Sequence, residues 1–415
     1  MDFSTTLAFI HEHFIYHFFL FYVAAYPIVG AILWTSTAYF FWHDFENKNP
    51  DPVMATAPFI SVVIPAFNEA KILPATLRKV LDLNYPNFEV IVVSDGSTDE
   101  TLDLIEPLMV DERLRIFEKS TNEGKARSIN DVIPFMRGEF ILFLDADAEP
   151  DAHILWKMLP HFAEERVGAV TGNPRIKNTD NFLCRIQLME YTTIISLIRR
   201  AQQVWGSLMT VSGAVFAVRK TALLSVHGFS PNMLTEDIDL TWKLQRAFWN
   251  VVYEPAALAW IHSPSTWSML WRQRRRWAKG LMQVLRKNVG VLFRKKYRHL
   301  WPVYIEASLS TLWQASFLVT LILSILFKSI GLEVIGVALF PYVWGVTIAA
   351  FSIMMYAVGT WFDKKYDKEV IHFYPYSIYY PIAYWLMMAV IATLSIPTLF
   401  RRISHRSVKW KTQRD

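Results

Sequence analysis

Four apolar stretches, Phe14 to Trp42, Val303 to Phe327, Val334 to Thr360 and Phe373 to Phe400, contain no Lys, Arg or Asp and a single acid, Glu306. Each approaches or exceeds the roughly 20 helical residues that cross a bilayer core, so this chain has to be built around a membrane. The first stretch is too long for a signal peptide, and Met1 to His13 carries Asp2 and Glu12 but no Lys or Arg. It reads as a retained anchor with its N-terminus outside. Composition agrees: 53% of the 415 residues are hydrophobic and 19% charged, which excludes a disordered chain and an ordinary soluble domain. The lone Cys184 excludes an intrachain disulfide and a cysteine zinc site.

Between the anchor and the second stretch lie about 260 residues of a different kind, punctuated by Gly and Pro and holding most of the acids. That is enough for a core of its own. Net charge is only +5, but eleven Lys or Arg and no acid fall between Trp267 and Leu300, which places the body in the cytosol by the positive-inside tendency. The expected division is an anchor over 1–50, a body over 51–265, a basic interfacial helix over 266–300, about three spans over 301–400 and a basic tail over 401–415. Three spans would leave that tail outside, although Arg401 to Arg414 is strongly basic. Either a segment such as Phe373 to Tyr384, with Pro375 and Pro381, lies in the interface, or the rule fails; both alternatives stay open.

Inside the body, Ile60 to Ile64, Val90 to Val93, Leu114 to Phe117 and Phe140 to Leu144 are short β-branched or aromatic runs separated by segments of helical length. This alternation predicts a mostly parallel α/β sheet, with ligands at the carboxyl ends of its strands. Asn68-Glu69, Asp95-Gly96-Ser97 and Asp145-Ala146-Asp147 all fall at such ends.

Paired carboxylates at Asp145 and Asp147, two apart at the end of a buried strand, suit Mg²⁺ or Mn²⁺ completed by phosphate oxygens. A DxD string alone is more often a solvated turn; the strand before it and Asp95 at a similar place reverse that judgement. After Asp95, Ser97 or Thr98 is placed to cap a helix. Asn122-Glu123-Gly124-Lys125 opens another, where a Lys can meet a phosphate. Thr235-Glu236-Asp237 begins the amphipathic run Ile238 to Trp249, with Thr235 as cap and acids favoured by the helix dipole; a carboxylate there could equally take a proton from a sugar hydroxyl. Asp239 needs no more than the dipole. Gln273-Arg274-Arg275-Arg276-Trp277 reads as an interfacial helix, yet an Arg aimed at a diphosphate beside an indole stacked on a sugar would account for the spacing. Phe182 to Trp205 reads as a second interfacial helix, with Arg185, Arg199 and Arg200 as its polar handles.

The ordered set Asp95, Asp145-Ala-Asp147, Thr235-Glu236-Asp237 and Gln273-Arg-Arg-Arg276-Trp277 resembles the processive family 2 glycosyltransferases, which include cellulose, chitin and hyaluronan synthases. Val170-Thr-Gly-Asn-Pro-Arg-Ile176, Val211-Ser-Gly213, Met233 to Leu244 and Trp271 to Ala278 look like the bacterial poly-β-1,6-N-acetylglucosamine synthases of biofilm formation. The likeness runs over roughly residues 55 to 300. It departs from Escherichia-type relatives at Ala146, where they have a Gly, and in showing one amino-terminal span where they have two.

The resemblance implies an α/β GT-A glycosyltransferase domain, with a mostly parallel sheet, embedded in a helical transmembrane protein of the bacterial inner membrane. It implies UDP-N-acetylglucosamine as donor and a growing β-1,6 polysaccharide as acceptor, extended with inversion and passed across the bilayer. Carried over, Asp95 and Asp99 would contact uridine, Lys125 would contact the diphosphate, Gln273 would lie on the donor side, and Asp145 with Asp147 would hold UDP and Mg²⁺ or Mn²⁺. Asp237 would be the general base, Arg276 would grip the pyrophosphate and Trp277 would stack on the acceptor sugar. Glu236, Ser212 and Gly213 would border that acceptor, with Thr171 and Asn173 nearby. A small membrane accessory subunit and regulation by cyclic di-GMP are properties of related synthases; no nucleic-acid partner is expected. A chitin- or hyaluronan-type synthase is the nearest rival, and an inactive scaffold binding anionic lipid is the rival from another class.

Overall fold

The predicted runs become strands because, in all but the edge run Leu114 to Phe117, their β-branched and aromatic residues are buried on both faces, as parallel strands covered by helices require. In the computed structural model, which describes residues 14–47, 56–329, 345–404 and 406–410, they are β1 (Ile60–Ala66), β2 (Phe88–Ser94), β3 (Leu114–Glu118) and β4 (Phe140–Leu144). β5 (Glu149–Pro150), β6 (Val167–Ile176), β7 (Val215–Arg219) and β8 (Asn250–Ile261) complete one eight-stranded sheet in the order β3-β2-β1-β4-β7-β6-β8-β5. β1 to β4 run parallel, and β7 lies antiparallel between β4 and β6. Alternate residues feed two cores: Val62 and Ile64 face one, Val63 and Ile91 the other. The carboxyl ends of β1, β2 and β4 share one edge, with Asn68, Asp95 and Asp145 just beyond them.

Two capping expectations need correction. The helix after β2 is Thr101–Ile105, and Asp99 accepts from the Thr101 N–H at 3.1 Å. Ser97 and Thr98 are taken by Asn68, 30 residues earlier, whose side-chain oxygen accepts from the Thr98 N–H at 2.8 Å while its own N–H donates to the Ser97 hydroxyl at 3.1 Å. Thr235 does precede the helix Glu236–Arg246, but its hydroxyl makes no cap bond.

By length and composition, three helices among the described residues can cross a membrane: Leu20–Glu46, Lys295–Leu326 and Gly345–Asp363. Each has one end fixed to the body. Glu46 pairs with Arg200, the Trp301 indole donates to the Val291 carbonyl at 3.0 Å, and Asp363 pairs with Arg175 at 2.5 Å and with Arg200 at 2.9 Å. The chain therefore leaves and returns between residues 301 and 363. Met1 to His13 and residues 334–344 of the third apolar stretch lie outside the described residues.

Phe373 to Phe400 contains Pro375, Pro381 and Pro397 and breaks into short turns around the helix Trp385–Ser395, which at 11 residues is about 16 Å long. Tyr384, before it, donates to Glu190 of the body at 2.6 Å, and Leu399 and Ile403, after it, pack on the core around Trp242 and Met282. Both ends thus contact the body, which brings the basic tail back beside the basic helix Trp267–Asn288, while Trp385 between them packs among the long helices on Trp313 and the cluster of Val23 and Ile348. Residues 411–415 of that tail lie outside the described residues.

Phe182 to Val204 is one helical run with π-helical turns at Tyr191–Leu197. Arg185 reaches the Tyr376 hydroxyl at 2.5 Å. Arg199 and Arg200 are not lipid-facing handles: both are buried, because Glu46 and Asp363 bring carboxylates to Arg200 and the Gly172 carbonyl accepts from Arg199 at 3.3 Å.

Candidate active site

Four loops meet at the sheet edge. Gly124, with φ of 95°, turns the chain into the helix Lys125–Val132, aiming Lys125 inward. Its ammonium lies 2.5 Å from Asp145 and 3.3 Å from Glu236. Burial works to strip its proton, but the charges of Asp145, Glu236 and Asp237 hold it well above the ordinary lysine range.

Asp237 stands beside Glu236 in the first turn of its helix. Gly213 lets it approach: a Cβ at 213 would meet the Asp237 carboxylate at 2.8 Å. The loop carrying Gly213 is clamped, with the Ser212 N–H on the Thr171 hydroxyl at 2.7 Å and the Val211 N–H on Thr241 at 2.9 Å. Burial, and next the Glu236 charge, push the Asp237 carboxyl up to about 6 against the pull of Lys125, the Ile238 N–H and Arg276. A carboxyl so tuned can take a proton near neutral pH.

Asp145 and Asp147 leave a turn, closed by the Ala148 N–H on the Asp145 carbonyl at 2.9 Å, rather than an extended strand. Ala146 is buried between them while both acids keep partial access to solvent. Among the described residues no group of three or more ligating side chains gathers. Two carboxylates, one already holding an ammonium, fit a hard divalent cation that draws the rest of its shell from phosphate and water.

The basic helix forms the opposite wall. A Cβ at Gly280 would collide with the Thr235 side chain, and Gln283 accepts from the Leu234 N–H at 3.0 Å, so this helix holds the Thr235-Glu236-Asp237 loop directly. Arg276 is exposed toward the cleft, where its charge acts on Asp237. The Arg274 guanidinium lies 4.1 Å from the Trp277 ring centroid and donates to Gln273 at 2.6 Å, to Glu190 at 2.5 Å and to Tyr384 at 2.7 Å.

Residues 57–280 match the family described as "Glycosyltransferase like family 2". The chain belongs to the family 2 glycosyltransferases. Over 410 residues, 96% of this transferase and 98% of the relative, it is 30% identical to a Staphylococcus epidermidis protein named poly-beta-1,6-N-acetyl-D-glucosamine synthase. A Staphylococcus aureus protein of the same name is 30% identical over 407 residues, 96% and 97% of the two chains. A solved mannosyltransferase of Pyrobaculum calidifontis, in complex with GDP-Man and Mn²⁺, superposes with a TM-score of 0.64 at 20% identity, covering 90% of the transferase and 99% of that chain. The body is accordingly a GT-A domain.

Of the residues singled out in the sequence, Lys125, Asp145, Gly213, Glu236, Asp237 and Arg276 converge. Asp147 faces Tyr191, whose phenol is pushed up to about 12 chiefly by burial, with the Asp147 charge contributing. Asp95 is buried and receives the Glu123 N–H at 2.9 Å, the Gly124 N–H at 2.7 Å and the Ser128 hydroxyl at 2.6 Å, so it holds the loop that aims Lys125. Asp99 accepts from the Ala70 and Thr101 N–H groups.

Sequence reasoning missed Glu190, Gly280, Gln283 and the tail. Glu190, the single acid in the helical run Phe182–Val204, was the one visible signal. Val408 donates to the Pro231 carbonyl at 2.8 Å, Asn122 exchanges two hydrogen bonds with the Trp410 backbone at 2.9 and 3.0 Å, and Gly124 leaves room for the Val408 carbonyl. The tail thus crosses the loop that leads to Lys125.

Proposed function

We propose that this transferase polymerises N-acetylglucosamine from UDP-N-acetylglucosamine into a β-1,6-linked polysaccharide, with inversion at C1, on the cytosolic face of the bacterial inner membrane. The observation that carries the mechanism is Asp237, raised to about 6 beside Glu236, Lys125 and Arg276. The donor and linkage are supported by the two staphylococcal relatives of nearly equal length.

Asp237 takes the proton from the acceptor O6 as that oxygen bonds to C1 from the face opposite UDP. The C1–oxygen bond to the diphosphate breaks, and the electron pair leaves with UDP. Lys125 and Arg276 lie where positive charge offsets the charge growing on the diphosphate. Asp145 and Asp147 would hold the divalent cation, Mg²⁺ or Mn²⁺, whose chemistry is Lewis-acid stabilisation of that leaving group. Asp95 and Asp99 order the loops around the uridine end, while Ser212, Gly213, Gln273 and Trp277 border the sugars. Export follows the basic helix: it packs on Trp385–Ser395, which lies against the span Trp301–Ser329.

The test is UDP release from purified protein in membranes given Mg²⁺ and labelled UDP-N-acetylglucosamine, with the product digested separately by a β-1,6-specific hexosaminidase and by chitinase. Cleavage by the first alone is expected. Chitinase sensitivity would move the chain to a chitin-type linkage. In sealed vesicles, polymer held wholly on the nucleotide side would overturn export.

A further inference from the structure

Where the anchor helix and the Gly345–Asp363 span meet the body, a cavity of about 450 Å³ opens between them. Trp42 and Trp361, with ring centroids 4.4 Å apart, form its wall, and Lys364, Lys365 and Lys368 form its rim. The charges around it are sorted. Glu46 turns inward to Arg200 and the Tyr366 hydroxyl, Asp363 to Arg175 and Arg200, and Asp367 to Arg175 at 3.1 Å. Among the described residues, none of the three lysines pairs with a carboxylate; Lys365 donates to the Glu46 carbonyl at 3.1 Å, and Lys364 lies 5.9 Å from the Trp361 ring centroid. All three are exposed.

We propose that this cavity is a binding site for the phosphate headgroup of an anionic phospholipid. The proposal rests on these helices being membrane spans, and not on which sugar is transferred. Paired indoles just past the last apolar turns mark the headgroup depth, where a basic pocket between spans is suited to an anionic lipid. The phosphodiester supplies the counter-charge that the inward-turned acids withhold. The acyl chains lie along Tyr39, Phe40 and Met354, which are exposed on the two spans below. Since Lys364 and Lys365 directly follow Asp363, the lipid sits one residue from the ion pairs that tie this span to Arg175 of β6.

The test uses the full-length protein in nanodiscs of phosphatidylcholine with or without phosphatidylglycerol, read by native mass spectrometry of retained lipid and by thermal melting. Each lysine at the headgroup surface is worth roughly fivefold in anionic preference, so the parent should retain phosphatidylglycerol at least tenfold over phosphatidylcholine. The triple variant Lys364→Gln/Lys365→Gln/Lys368→Gln should lose most of that preference while still melting cooperatively. A charge-matched control, Lys295→Gln/Lys296→Gln/Arg298→Gln, removes exposed basic residues beside another span and should keep it. Equal loss in the control would replace a built site by diffuse attraction, and an unchanged preference in the triple variant would overturn the site. Stabilisation by inorganic phosphate in detergent matching that by phosphatidylglycerol would make the ligand a free anion and overturn the lipid.

Discussion

Two clusters of charge anchor this molecule, and they are built on opposite plans. At the junction with the spans, Arg175 and Arg200 meet Glu46 and Asp363 in the interior, with Ser196 and the partly exposed Asp367 as further partners. In the cleft, Glu236 and Asp237 stand side by side with Lys125 shared between Asp145 and Glu236, and Asp145 and Arg276 keep access to solvent. The paired cluster fixes position. The crowded one leaves the Asp237 carboxyl poised near neutrality, as a reactive site needs and a structural one does not.

The sharpest way to break the contrast is Asp237→Asn. Loss of a positioned base should cut polymerisation by about 100- to 10,000-fold, while removal of an unfavourably held charge should leave the melting temperature at pH 7.5 equal or higher. Near-normal turnover would sink the assignment.

Next in size is Arg200→Met, which strands Glu46 in the interior and leaves Asp363 to Arg175 alone. Breaking a buried pair on one side costs about 3–5 kcal/mol, so denaturant melts should show a large drop in stability. A variant as stable as the parent would mean that the junction does not fix the spans.

A smaller effect is expected with pH. The Asp237 carboxyl has a higher pKa folded than unfolded, so the folded chain binds more protons and stability should decline as pH rises from about 4 through 6, with little further change above. Initial rates should show the reverse, falling below about pH 6 as the base is protonated. Melting and rate profiles, with Asp237→Asn as the melting control, check both signs.

Smallest is Tyr384→Phe, which removes one hydroxyl from the group holding Arg274 over Trp277. A net loss of about 1 kcal/mol should appear as a raised KM for an oligosaccharide acceptor with kcat nearly kept. Equal losses in both would assign Tyr384 to folding instead.

Much of this was legible in the chain. Phe140 to Leu144 is a buried strand by composition alone, and the motifs at Asp145, Glu236 and Arg276 carry the family. What stayed hidden depended on distance along the chain. Arg199 and Arg200 look like surface charges because the partners of Arg200 lie 154 and 163 residues away, and Thr98 is held by Asn68 while Asp99 accepts from the helix's first N–H. Hydropathy likewise cannot tell a continuous span from Phe373 to Phe400. Both are apolar runs, and only the prolines and the contacts at each end reveal a segment that breaks into short turns and returns to the body.

The missing side chain at Gly280 has one last consequence. It seats the helix bearing Arg276 and Trp277 directly on the loop bearing Asp237, so the proposed sugar platform and the proposed proton acceptor form a single gauge of fixed width. In the proposed reaction, such a gauge would present every chain end alike and keep no record of the units already added, leaving product length to the odds of letting go.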